Sequence, residues 1–173
     1  GAVGLVTYIR TDSVRVSTEA QAQALELIRQ RYGEEYAPEK PNIYRGRKNA
    51  QDAHEAIRPT YPERTPESVK DSLTPEQFKL YRLIYNRFFA SQMKSALYET
   101  MTVSIDARQE GAKDTYGFRA TGSRVLFDGF TAVYTEGRDD EQDEKETKLP
   151  PIETGDVFKI RELKKDQHFT QPP

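Results

Sequence analysis

The chain has 173 residues, 31% of them Asp, Glu, Lys or Arg, with a net charge of −2 and a mean hydropathy of −0.85. That length allows one domain or two small ones with modest cores, and no apolar stretch approaches the roughly 18 residues that suggest a membrane span. No cysteine is present, which excludes disulfides and thiolate-bound zinc and suits a reducing cytoplasm.

The sequence pI near 5.8 argues against a purely electrostatic nucleic-acid binder. Locating the charge weakens that objection. Residues 135 to 146 hold seven acids (Glu136, Asp139, Asp140, Glu141, Asp143, Glu144, Glu146) against Arg138 and Lys145, and the rest of the chain carries +3. No signal peptide precedes the first polar segment. With no initiator methionine, and ending on Gln171-Pro172-Pro173, the sequence reads as a segment cut from a longer protein.

In chain order, Val3 to Arg10 is β-branched and apolar, and predicts a short buried strand. A helix is expected from Thr18 to Tyr32, with Thr18 and Gln21 as a capping-box pair, Leu25, Ile28 and Tyr32 on one face and Gly33 as its stop. Residues 34 to 48 read as a surface loop. A short helix over about Ala50 to Ile57 should end before Pro59, since proline disfavours the helical conformation in the residue before it. Tyr61 to Ser72 reads as loop. The best-marked helix runs from Pro75 to about Met93, capped by Thr74 and Gln77, with Tyr81, Ile84, Tyr85 and Phe88 as its stripe. The period then falls to two. Met101, Val103 and Ile105 alternate with polar neighbours, as do Tyr116, Phe118 and Ala120, and Phe158 and Ile160. Asp128-Gly129 suggests a hairpin turn, and the acidic run a solvated loop. The fold class is thus α+β, a helical part over 1–94 followed by an antiparallel β part over 95–173.

Three segments could carry chemistry. On a strand, Tyr8, Arg10 and Asp12 project to one side. Only about 0.1% of an ordinary phenol is ionised at neutral pH. A nearby guanidinium favours the phenolate and can hold a phosphate oxygen through paired N–H donors, which is what a tyrosine attacking a phosphodiester needs. The plainer reading packs the Tyr8 ring at a strand end and leaves Arg10 and Asp12 as a surface ion pair; Tyr-x-Arg spacing alone favours it. In the second segment, His54 and Arg58 lie four apart on the expected helix, a pairing that suits phosphate binding or proton transfer. The alternative is a solvated helix-face histidine, and spacing alone again favours it. The third segment, Asp139 to Glu144, lacks the rigid element a metal site requires, so no metal ligands are assigned.

Taken together, Gly4-Leu5-Val6-Thr7-Tyr8-Ile9-Arg10-Thr11-Asp12-Ser13 and Asn49-Ala50-Gln51-Asp52-Ala53-His54-Glu55-Ala56-Ile57-Arg58-Pro59-Thr60 closely resemble bacterial DNA topoisomerase I, a type IA topoisomerase. The similarity continues through Leu83 to Met93 and into Gly129-Phe130. Ile9 and Glu55-Ala56-Ile57-Arg58 look more like topoisomerase I than the topoisomerase III branch, and reverse gyrase is a close relative. The resemblance implies that Tyr8 is the nucleophile that becomes linked to a 5′ phosphate. It makes Arg10 a contact to the scissile phosphate and His54 part of the proton and phosphate network, with Asp12, Ser13 and Arg58 beside the DNA. It also implies a helix-turn-helix-like tyrosine domain over 1–94 and a β-rich hinge domain over 95–173. Mg2+ would belong to the intact enzyme, whose metal-binding domain nothing here matches. The isolated segment is therefore expected to be inactive, to partner single-stranded DNA and the missing domains, and to work in the bacterial cytoplasm on the nucleoid. A non-catalytic binding module, in which Tyr8 only packs, is the rival from another class. A tyrosine recombinase is a weaker third, because those sites surround a C-terminal tyrosine with scattered basic residues.

Overall fold

The computed structural model describes residues 4–44, 54–135, 149–162 and 164–167. It is an α+β chain in which three α-helices precede a two-stranded antiparallel sheet. Contacts divide it into two compact units, Gly1–Glu99 with Arg124–Glu146, and Thr100–Ser123 with Thr147–Pro173.

The first unit is built on two helices, α1 over Thr18–Tyr32 and α3 over Pro75–Gln92, with the single turn α2 over Pro66–Val69 between them. The start of α1 is fixed by Ser17, whose hydroxyl accepts from Ala20 N, and not by Thr18 as the capping pattern suggests. It stops at Gly33, where φ is +117°, a left-handed value that glycine adopts without steric cost. The start of α3 carries the full capping box, with Gln77 N donating to Thr74 Oγ1 and Thr74 N to Gln77 Oε1.

Ala24, Leu25 and Ile28 of α1 pack with Tyr81, Tyr85, Phe88 and Phe89 of α3, and Ala37 and Met93 close the cluster. The Tyr81 and Tyr85 rings are buried, and their hydroxyls donate to the carbonyls of Arg64 and Pro62, which satisfies the polar tips. Burial pushes the Tyr81 phenol up to about 12. Both carbonyls lie in 61–72, which is not the plain loop expected: it contains α2, started by Thr65 and Pro66, and a 3-10 turn over Lys70–Ser72.

Strands β1 (Leu97–Ala107) and β2 (Tyr116–Phe127) form the sheet, so the hairpin connection lies between them at 108–115. Asp128-Gly129 is not a hairpin turn. Gly129 opens a 3-10 turn, Gly129–Ala132, at φ +51°. A Cβ there would lie 2.7 Å from backbone atoms of Lys94, Ser95 and Ala96. This close approach ties the end of β2 to the exit of α3, with Phe130 N donating to Lys94 O and the Tyr36 hydroxyl to Asp128 Oδ1. Phe158 and Ile160 are exposed and outside any strand, contrary to their alternation. The acidic run over 136–146, like Ala50 and Ala53, lies outside the described residues.

Candidate active site

Tyr8 does not sit on a buried strand. Val6 makes a single antiparallel bridge to Pro59, and the chain beyond it is extended and open, with Tyr8 75% and Ile9 61% exposed. Nor is the described part of the expected helix, His54 to Ile57, helical. Its backbone groups are taken by distant partners. Thr7 N donates to Arg58 O, and Thr60 N to Leu5 O. The Thr7 hydroxyl donates to Ala56 O and accepts from Arg58 N. On the other edge, Ala56 N donates to Arg15 O, and the Ser13 hydroxyl donates to His54 O at 2.6 Å. With the Ala56 N and O, the His54 O and the Arg58 N and O committed to these partners, those groups cannot also serve a helical ladder.

This clamp brings together side chains 46 residues apart. The Tyr8 and His54 rings lie 5.9 Å apart at a tilt of 40°. Arg10 Nη1 is 3.5 Å from His54 Nδ1. Arg10 also forks onto Asp12, through Nε to Oδ1 at 2.7 Å and Nη2 to Oδ2 at 3.0 Å. The hydrogen bond and charge of Asp12 raise the Arg10 pKa, and the same hydrogen bond lowers that of Asp12. A guanidinium has five N–H donors, so the fork still leaves donors on Nη1 and Nη2 for a phosphate. The Tyr8 hydroxyl has no hydrogen-bond partner among the described residues.

Ser13 and Arg58 are placed differently from Tyr8. Ser13 holds the His54 backbone, and Arg58 faces Glu55, with Nη2 2.7 Å and Nε 2.9 Å from Glu55 Oε2. Ser17, the cap of α1, also acts to lower the Glu55 carboxyl. Sequence reasoning missed Glu55, although the (i, i+3) pairing with Arg58 was visible.

Burial by itself raises the Glu55 carboxyl, but the hydrogen bonds from Arg58 and Ser17 and the charge of Arg58 leave it lowered. A carboxyl lowered by folding adds stability that is fully present above its unfolded pKa and is lost as the pH falls through the lowered value. Acid should therefore destabilise the chain from about pH 4.3 downward, and Glu55→Gln should lack that share of the loss. Urea titrations of both proteins across that window test this; identical acid dependence would contradict it.

Among the described residues, no three His, Asp or Glu side chains converge as metal ligands. Asp12, the carboxylate of the cluster, is already held by Arg10. These residues do not fit a resident Mg2+. No described helix is long and apolar enough to cross a membrane.

An exposed tyrosine is thus set beside an arginine and a histidine on an α+β scaffold. The family model for DNA topoisomerase matches residues 2–173, and the chain belongs to that family. Among solved structures it is similar to full-length topoisomerase I from Thermotoga maritima, at 38% identity and a TM-score of 0.62, and this likeness supports the bacterial type IA branch. The match covers 84% of this chain and 22% of that one.

Proposed function

We propose that this chain supplies the nucleophile of a type IA topoisomerase, which cuts and rejoins one DNA strand through Tyr8 and relaxes negative supercoils. The observation that carries this reading is the meeting of an exposed Tyr8 with His54 and Arg10, across 44 to 46 residues of sequence. The Tyr8 oxygen attacks a backbone phosphorus, a P–O bond to tyrosine forms, the P–O3′ bond breaks, and the 3′ oxygen leaves as a hydroxyl. Arg10 holds the phosphate oxygens as charge builds on them, and His54 serves the network through which the phenol proton leaves. One phosphodiester replaces another, so rejoining needs no ATP.

On this reading residues 1–94 are the tyrosine domain and 95–173 part of a hinge domain. The chain by itself is inactive, because the metal-binding domain that needs Mg2+ is not among its residues. The enzyme would act on single-stranded DNA in the bacterial cytoplasm, at the nucleoid. Ile9 and Glu55-Ala56-Ile57-Arg58 favour topoisomerase I over the topoisomerase III and reverse gyrase relatives.

Linkage polarity tests the chemistry. When this chain is joined to its catalytic partner domains and trapped on a single-stranded oligonucleotide, label at the DNA 3′ end should stay with the protein and label at the 5′ end should be released. The reverse pattern would exclude a 5′-phosphotyrosyl link.

A further inference from the structure

We propose that a cleft at the start of α3, formed by Lys70, Phe78, Lys79 and Arg82, seats the phosphodiester backbone of DNA. The cleft has a volume of about 420 Å³ and is open to solvent. It shares no residue with the Tyr8 cluster. The proposal rests on DNA being the partner, as the reading above has it, and adds a second place where the chain holds it.

The argument starts from charge. Arg10, Arg29, Arg58, Arg124 and Lys164 each lie within ion-pair distance of a carboxylate. Lys70, Lys79 and Arg82 have no such partner among the described residues, although they line one cleft. Phe78 orders two of them, with Lys70 Nζ 5.5 Å and Arg82 Cζ 5.7 Å from its ring centroid. Contact with a ring face orients a cation without neutralising it, so its N–H donors remain available for an acceptor. Asp71 is the single acid in the lining, which leaves the cleft net positive. Gathering like charges costs energy that an anion with several acceptor oxygens relieves. An open cleft lined by three cations suits a polymer passing through, and a phosphate chain carries the matching charge.

The test is the affinity of a fluorescent oligothymidylate for the 173-residue chain, by anisotropy across a salt series. Each lost phosphate contact should reduce the slope of log affinity against log salt by roughly 0.7 for a single strand. The combined variant Lys70→Ala, Lys79→Ala and Arg82→Ala should therefore bind at least about tenfold more weakly at low salt, with a slope reduced by about 2. Asp71→Asn should bind about two- to threefold more tightly, a gain that misfolding cannot produce. Removing the same charge elsewhere, by Arg108→Ala, Lys113→Ala and Arg119→Ala, should leave the slope nearly unchanged. An unchanged slope in the cleft variant, or an equal loss in the control, overturns the seat. So does polyglutamate of equal charge competing as well as the oligonucleotide. Covalent capture through Tyr8 is scored separately, so either reading can fail while the other stands.

Discussion

Tyr8→Phe should abolish covalent DNA capture and relaxation once the chain is joined to its partner domains, yet leave its fold intact. The substitution removes one oxygen and nothing else. That oxygen belongs to a side chain 75% exposed, and it has no hydrogen-bond partner among the described residues, so its loss leaves no buried group unsatisfied. Removing a covalent nucleophile elsewhere costs on the order of 10⁶ in rate. The contrast with the other tyrosines is physical. Tyr81 and Tyr85 are buried with raised pKa values and hydroxyls committed to backbone carbonyls, so they neither reach DNA nor ionise readily. Gel shift of trapped complexes and supercoil relaxation, alongside circular dichroism, measure the three quantities together. Capture by Tyr8→Phe would remove Tyr8 from the chemistry.

Phe89→Ala should be the most damaging core change, costing about 3–5 kcal/mol. Phe89 is 1% exposed, stacks on Tyr85 at 4.6 Å and meets Phe88 edge-on at 5.6 Å. Truncation leaves a cavity inside the cluster that α3 forms with Ala24, Leu25 and Ile28 of α1. Against a typical total of about 5–15 kcal/mol, that loss leaves a large unfolded fraction. Urea unfolding should show the midpoint falling with little change in slope. A shift of under about 1 kcal/mol would mean that the helices are held by something other than this cluster.

The elements most legible in the sequence were those whose causes are local. The Thr74–Gln77 capping box lies within four residues, and it set the start of α3 correctly. Gly33 likewise marked the end of α1. The His54 segment misled because its alanines and its four-residue spacing between His54 and Arg58 satisfy a helical pattern. What makes it extended is Thr7, Ser13 and Arg15, roughly forty to fifty residues away, and no local pattern carries them. Asp128-Gly129 misled for a similar reason, since the glycine answers a close approach of residues 94–96 and not a turn between strands. The candidate site was still foreseeable as a set. Tyr8, Arg10 and His54 do converge, while Arg58 is turned to Glu55 and Ser13 to the His54 carbonyl.

The most direct measurement is the identity of the residue that carries DNA. A cleavage complex of the joined enzyme can be trapped with denaturant, digested with protease and nuclease, and read by tandem mass spectrometry. The account predicts a nucleotide remnant on the phenolic oxygen of Tyr8. A remnant on Tyr44, Tyr61, Tyr98 or Tyr116, which are also exposed, or on no residue of this chain, would contradict it.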